Sequence, residues 1–377
     1  MRAYRFRLYP SKWQEKELLH HLFIEKNLWN MLLEKTKKKY NEEGKFYSKS
    51  EIQLLVKDSG LYSQSAQAIA HRLHHALQAK VRAKNRGQKW GFPRFKSIER
   101  MKSIYYPQSG FSLGQKLKVS PFGEISIVRH RIIKGRIKTL TLKKEASGKW
   151  HAIFMVEEES VPQKPNNGPT VGLDLGLNHL ATLSNGNFIE NPRIFSQFEN
   201  ELARTQRHLS RKRRGSHNRE ESKKKVARVY ESLANARKDY LHKAANALLS
   251  QYSKVAMEDL RIQKMAREGH GKNIHDASWA LFTNMLCYKA ESAGSEIVFV
   301  DPRNTSKECS RCHSIASKSL WERTHQCSSC GLVLDRDVNA AINILQRATA
   351  GMAGSNACGD GIEIPSLKQE AAPSMAW

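Results

Sequence analysis

The chain has 377 residues, with 63 Lys+Arg against 36 Asp+Glu and a formal net charge of +27. A surplus this large is unusual for an enzyme of small neutral metabolites and points to a polyanion, above all nucleic acid; the rivals are a basic housekeeping enzyme and an anionic-membrane binder. Forty per cent hydrophobic residues, with 7 Trp and 13 Phe, mark a folded chain of two or three compact units. No apolar run approaches the roughly 20 residues that span a bilayer.

The opening MRAYRFRLYP lacks a hydrophobic signal region and alternates like a strand over residues 3 to 9, until Pro10 stops it. Secretion is therefore not expected, and a reducing cytoplasmic or nucleoid setting is. From Lys12 to about Lys89 the pattern turns helical, with Leu18, Leu22, Trp29 and Leu33 at helix-compatible spacings. Gly91 to Lys96, GFPRFK, breaks the helices. Residues 103 to 158 then read as short strands rich in Ile, Val, Tyr and Thr. One strand, a helical insertion and several strands predict a β-barrel-like unit whose first strand lies far upstream.

VPQKPNNGPT, residues 161 to 170, is a Pro/Asn/Gly linker and the best domain boundary. Strands with an Asn185-Gly186 hairpin turn follow, then a basic helical stretch from about Gln197 to Ser250. A strand at 254 to 260, a GHGKN segment, a helix over DASWALFTNMLCYKAESAG and the strand EIVFVD come next. Cysteine knuckles then interrupt, and VNAAINILQRA forms the last helix. From Gly351 onward, one Lys and three acidic residues among Gly, Ser, Ala and Pro read as a disordered tail, 351–377.

Three acidic residues stand out. Asp174 lies in the apolar strand VGLDLG, where an unpaired carboxylate costs several kcal/mol. Glu258 ends another apolar strand, at the carboxyl edge where open α/β sheets place their sites. Asp337 opens the final helix. Spacings of 84 and 79 residues mean that only a tertiary fold can unite them. Hard oxygen ligands from two strands and a helix suit magnesium or manganese, and two such ions serve phosphodiester chemistry. Each acid also has a structural reading: Asp335 or Asp337 as a helix cap, and Glu258 as an exposed strand end beside a competing Asp259. The Gly-x-Asp-x-Gly strand also occurs in sugar kinases and other actin-like ATPases.

Cys309, Cys312, Cys327 and Cys330 form two Cys-x2-Cys pairs separated by 14 residues. Four thiolates at that spacing fit a closed structural zinc ribbon, with His313 and His325 as nominal rival ligands. Residues 204 to 228 hold eleven Lys/Arg against two Glu. Arg207, Arg211, Lys212, Arg213 and Arg214 are interleaved there with Ser210, Ser216 and Asn218. Such a charge run is either a solvated helix face or a contact to nucleic-acid backbone, and the small polar groups favour the backbone contact. Trp90, Phe92 and Phe95 beside Arg94 and Lys96 either stack on bases or pack in a core.

The order VGLDLGLNHLATLSNG, LSRKRRGSHN, ARKDYLHK, VAMEDL, DASWALFTNMLCYKAE, TSKECSRCH, CSSCG and LDRDVNAAINIL resembles the TnpB family of transposon-encoded RNA-guided nucleases, relatives of the type V CRISPR effectors. RLYPSKWQ and GFPRFK resemble it too, so the likeness covers roughly residues 1 to 350. It implies a multidomain fold. A β-barrel wedge domain would occupy 1–10 and 97–165, with a helical recognition insertion at 11–96. An α/β RNase H-like (RuvC) nuclease domain would occupy 166–305 and 331–350, with a zinc ribbon inserted at 306–330. Asp174, Glu258 and Asp337 would be its catalytic triad, Asp337 being preferred to Asp335 because it precedes the x-Asn-Ala-Ala of the last helix.

The resemblance further implies two magnesium ions, one zinc, a guide RNA and a target DNA. Gln64 and Gln67 would read a short target-adjacent motif, and Arg303 and Ser306 would orient the scissile phosphate. Two departures stand out: Asp259 follows Glu258 where Asn is common, and His313 follows Cys312 where glycine is usual. Alternatives are a nuclease-inactive guided repressor, against which the intact triad argues, and a protein-only RNase H-fold transposase.

Overall fold

The computed structural model describes residues 1–88, 90–158, 165–260, 278–316 and 322–350. The expected tail at 351–377, the GHGKN segment and part of the 161–170 linker lie outside the described residues. The chain divides into two compact units, Met1–Ser160 with Arg213–Arg228, and Val161–Lys212 with Val229–Trp377. Among the described residues, no helix is long and apolar enough to cross a membrane.

In the first unit, strand β1 (Arg2–Tyr9) buries Tyr4, Phe6 and Leu8 on alternate positions. Helix α1 (Lys12–Glu43) starts in a Ser11/Gln14 capping box and ends at Gly44, whose φ of 69° suits a left-handed cap. Its buried stripe contains Leu18, Leu22, Trp29 and Leu33, the positions expected from periodicity. Helices α2 (Lys49–Leu54) and α3 (Ser63–Asn85) complete the insertion.

The sheet is built from β2 (Ser103–Tyr106), β3 (Phe111–Leu113), β4 (Leu117–Val119), β5 (Gly123–Val128), β6 (Arg136–Lys144) and β7 (Trp150–Glu157), with β1 among them. Its order is β2-β6-β7-β1-β5-β4-β3. The upstream strand β1 thus lies in the middle, antiparallel to both β7 and β5. The outermost strands, β2 and β3, are consecutive in the chain. The Tyr106 hydroxyl donates to the Ser120 carbonyl at 2.7 Å, and the Tyr106 and Phe111 rings stand 6.4 Å apart. The sheet is therefore nearly closed on itself. The strands β3 and β4, three residues each, fall within the 103–158 stretch read as short strands.

The second unit has a sheet of β8 (Thr170–Leu175), β9 (His179–Leu183), β10 (Phe188–Glu190), β11 (Lys254–Glu258) and β12 (Glu296–Val300), ordered β10-β9-β8-β11-β12. The first three form an antiparallel meander, turned at Gly186 (φ 87°) between β9 and β10, while β11 runs parallel to both β8 and β12. The long basic helix of the sequence reading is two helices, α4 (Ile194–Ser210) and α5 (His217–Gln251), parted near Gly215, whose φ is 80°. Leu241, Ala245 and Leu248 of α5 join Phe282 and Leu286 of α6 (Trp279–Ala293) against Val171, Leu173, Val255 and Met257 on one face of the sheet. Helix α7 (Arg336–Thr349) covers the other face, where Ile344 meets Ala256 and Val300. The hairpin β13 (Thr324–Gln326) and β14 (Val333–Asp335) leads into α7.

Candidate functional site

The face under α7 carries the acids. Side chains alternate along a strand, so Asp174 shares a face with Gly172, and Glu258 with Ala256. Parallel pairing of Met257 with Leu173 puts Glu258 level with Asp174 on the neighbouring strand. Helix α7 reaches that face because Gly172 has no side chain: a Cβ there would stand 2.0 Å from the Ala341 carbonyl oxygen. Four residues before Ala341, one turn towards the helix start, is Asp337.

Asp335 is the N-cap of α7, its side chain accepting hydrogen bonds from the Asp337 and Val338 amides at 2.8 and 3.1 Å. The Asp337 carboxylate faces Arg323, whose Nη1 lies 3.4 Å from Oδ2. Burial drives the Asp174 carboxyl well above its ordinary value, and the charges of Glu258 and Asp337 push it further. Glu258 is also raised by burial, against the opposing pull of the Thr305 hydroxyl and the Arg347 guanidinium. The charges of Glu258 and Asp337 thus act on Asp174 at one face of the sheet, with Arg323 and Arg336 lying 3.4 and 3.5 Å from the Asp337 carboxylate.

The thiolates gather more tightly. Among the described residues, Cys309, Cys312, Cys327 and Cys330 form a group whose ligand atoms all lie within 4.8 Å of one another. Sulfur separations of 3.6 Å for Cys309–Cys330 and 3.5 Å for Cys312–Cys327 fit a tetrahedron around zinc, whose Zn–S bonds of about 2.3 Å give edges near 3.8 Å. The two knuckles are built alike: the His313 amide donates to the Cys309 carbonyl and the Gly331 amide to the Cys327 carbonyl, each at 2.9 Å. His313 adopts φ 61° where Gly331 has 72°, so histidine takes up the left-handed turn that glycine usually fills. The hydroxyl and amide of Ser314 hold the Cys312 thiol down to about 6, while Cys330, against the pull of the Leu332 backbone, is pushed up to about 12 by burial and the neighbouring thiols. His313 Nδ1 pairs with Glu308 at 2.8 Å, and His325 lies on β13, outside this group of four.

The remaining candidates are dispersed. Arg207 lies on α4, while Arg211, Lys212, Arg213 and Arg214 form the connection to α5. Ser216 is committed to that connection: its hydroxyl donates to the Arg213 carbonyl and accepts from the Arg219 amide. Asn218 is exposed in the first turn of α5. Gln64 and Gln67 sit one turn apart at the start of α3, Gln67 exposed and Gln64 half-buried. The Arg303 guanidinium is held by Asp301, with Nε donating to Oδ2 at 2.8 Å. Ser306 is half-buried.

Sequence reasoning missed Thr305, Arg323, Asn339, Asn343 and Arg347. The last helix does carry a signal: Asn339, Asn343, Gln346 and Arg347 make a polar stripe on the otherwise apolar α7.

Most of the chain is similar to known proteins. Residues 153–268 match a family model described as "Probable transposase", 279–344 one described as "Cas12f1-like, TNB domain", and 1–45 one described as "Helix-turn-helix domain". The last span is here a strand followed by one 32-residue helix. The chain is 32% identical over 375 residues to a Streptomyces pristinaespiralis protein named "Putative RNA-guided DNA endonuclease", covering 96% of this chain and 92% of that one. It is 30% identical to "Putative RNA-guided DNA endonuclease InsQ" of Escherichia coli K12, covering 98% and 97%.

The chain belongs to the TnpB family.

The TnpB chain also shares its fold with a solved structure titled "Cryo-EM structure of the Cas12f1-sgRNA-target DNA complex", with TM-score 0.58 and 15% identity over 89% of this chain and 83% of that one. It has a Cas12f-like multidomain fold, with a nearly closed sheet and a cysteine cluster able to hold a metal.

Proposed function

We propose that this TnpB-family chain is the RNA-guided DNA endonuclease of a transposable element, cutting target DNA beside a short adjacent motif by metal-dependent phosphodiester hydrolysis. The observation that carries the reading is that Asp174 of β8 and Glu258 of β11 lie side by side under α7, whose Asp337 charge acts on Asp174, in a chain whose relatives are named for that activity. The meander β8–β9–β10 followed by two parallel strands supports a RuvC-like, RNase H-fold nuclease domain at 166–305 and 331–350, interrupted by a zinc ribbon at 306–330. The nearly closed sheet and its inserted helices support a wedge domain at 1–10 and 97–165 and a recognition insertion at 11–96.

In this reading Asp174, Glu258 and Asp337 hold two magnesium or manganese ions, and the four cysteines hold zinc. Ions bound there supply an activated water and stabilise the leaving oxygen of the phosphodiester. The protein's own part is positional. Strands β8 and β11 carry two carboxylates side by side, and Asp335 takes the capping role, so that the Asp337 carboxylate faces Arg323 and Arg336 instead. The four thiolates leave no open position for chemistry at the zinc.

Guide RNA and target DNA account for the surplus charge. Arg207, Arg211, Lys212, Arg213, Arg214 and Asn218 contact phosphates in this reading, with Ser216 shaping their turn. Binding then weakens steeply with salt. In the same reading Gln64 and Gln67 read the adjacent motif, and Ser306 meets the scissile phosphate. Arg303 would first have to leave Asp301.

The test is reprogramming. Full-length protein purified with its RNA should cut, in magnesium, the DNA complementary to the guide segment, and cut a new site when that segment is changed. Cleavage or strand transfer that ignores the RNA would overturn the reading.

A further inference from the structure

Helix α7 carries more than Asp337. Asn339, Asn343, Gln346 and Arg347 line one of its faces, and all four are engaged by the loop that runs from β12 to the first cysteine knuckle. Asn339, 0% exposed, donates to the Glu308 carbonyl at 2.7 Å and accepts from the Ser310 amide at 3.0 Å. Asn343, 2% exposed, donates to the carbonyls of Thr305 and Glu308, both at 2.8 Å. Gln346 donates to the Ser310 carbonyl at 2.9 Å, and Arg347 to the Glu308 carboxylate at 2.6 Å and to the Asp301 and Arg303 carbonyls at 2.8 Å.

The same loop reaches both metal centres. At one end it supplies Cys309 and Cys312. Ahead of them, the buried Thr305 donates its hydroxyl to Glu258 Oε1, with the Pro302 carbonyl, 3.2 Å away, as a more distant second acceptor. A continuous set of hydrogen bonds therefore joins the thiolate cluster, Glu258 and the helix that bears Asp337. Asn339 has both of its amide groups partnered, whereas Asn343 and Gln346 hold the loop through their amide nitrogens, their buried side-chain oxygens having no hydrogen-bond partner.

We infer that Thr305 and Asn343 are positioning residues for the carboxylate centre, and that the cysteine ribbon is the scaffold fixing Glu258 relative to Asp337. The inference rests on the reading of Asp174, Glu258 and Asp337 as cation ligands. The Thr305 hydroxyl occupies one lone pair of the Glu258 carboxylate and restrains its rotation, leaving the other lone pairs for a cation. Asn343 fixes the Thr305 carbonyl, and with it the loop segment from which that hydroxyl projects. Zinc at the cysteines then does more than fold its own ribbon: it anchors the far end of the loop that aims Glu258.

The test is manganese binding to the full chain, followed by electron paramagnetic resonance, with Asp174→Ala setting the background. Thr305→Val removes the hydroxyl at nearly constant volume. It should weaken the site about tenfold or more, the usual effect of losing a group that orients a metal ligand. Zinc content should stay at one per chain, and the thermal midpoint should fall by only about a few degrees, the effect of one lost hydrogen bond. Thr305→Ser, which restores the hydroxyl, should recover most of the affinity, a rescue that a purely packing role would not give. Asn343→Ala should weaken the site likewise; if it fails to fold, the threonine pair still decides. Wild-type manganese affinity in Thr305→Val, with the site lost in Asp174→Ala, would overturn this inference alone. Unchanged binding in Asp174→Ala would remove the carboxylate assignment, and the inference with it.

Discussion

Gly172 of β8 and Ala341 of α7 touch backbone to backbone: a Cβ on Gly172 would lie 2.0 Å from the Ala341 carbonyl oxygen and 2.8 Å from the Leu345 amide nitrogen. Its backbone φ is not in the left-handed region, so the requirement is for space rather than conformation. The contact sets the distance between the strand of Asp174 and the helix of Asp337.

Gly172→Ala should therefore push α7 off the sheet. Overpacking typically costs about 1–3 kcal/mol, and unyielding backbone places this case at the upper end or beyond. Thermal denaturation should register the loss, and magnesium-dependent cleavage should fall with it. Gly91→Ala, where a Cβ meets nothing within 4 Å, is the control and should melt like the parent. Equal melting of both variants would contradict the packing argument.

Asp335 and Asp337 should separate cleanly. Asp335→Ala removes the cap of α7 and should cost about 1 kcal/mol of stability while leaving measurable cleavage. Asp337→Asn should abolish cleavage and leave the melting temperature near that of the parent. Denaturation and cleavage assays on both variants check this; the reverse pattern would transfer the catalytic role to Asp335.

Removal of zinc should unfold the ribbon. Cys327→Ser leaves three thiolates, and metal analysis should show zinc falling well below one per chain. Structural zinc contributes on the order of 10–16 kcal/mol apparent in zinc-finger peptides, so residues near 306–335 should become sensitive to protease. Full zinc occupancy in this variant would show that the cysteines are not the ligands.

The first unit buries a charge cluster that no motif announced. Burial pushes Glu25 up to about 8, against the pull of Arg72 and Lys96, and pushes His21 down to about 4. Between its ordinary value and about 8, folded Glu25 keeps a proton that the unfolded chain releases, so stability falls as pH rises. His21 acts oppositely, but only below its ordinary value of 6.5. Lys96, lowered to about 8 chiefly by burial, changes its contribution mainly above that pH. Between about pH 6.5 and 8, Glu25 should thus dominate this cluster, with a slope of up to about 1.4 kcal/mol per pH unit. Glu25→Gln should flatten the decline in urea-denaturation stability across that window. Parallel curves for parent and variant would contradict it.

Much of this was legible from sequence, for reasons particular residues make plain. The apolar positions Leu18, Leu22, Trp29 and Leu33 placed α1, and β1 was visible as alternation halted by Pro10. The four cysteines showed themselves by spacing alone, since thiolate geometry is local. Asp174 and Glu258 were conspicuous because an acid is out of place in an apolar strand. What could not be read was contact between distant segments. Thr305 is an ordinary loop threonine until Glu258 lies beside it, and Arg323 means nothing until the hairpin turns it towards Asp337. Arg303 looked available for a phosphate, yet Asp301, two residues away, holds it. The motif before the last helix already favoured Asp337 over Asp335 as the site residue, and the two amide hydrogen bonds accepted by Asp335 show which of them caps the helix.

The central claim is that Asp174, Glu258 and Asp337 form the centre that cuts guided DNA. The most direct measurement compares the parent and Asp174→Ala, each purified with its RNA, for cleavage of matched duplex in magnesium and for binding of the same duplex. The account predicts complete loss of cleavage with binding of RNA and target retained. Undiminished cleavage by Asp174→Ala would contradict it.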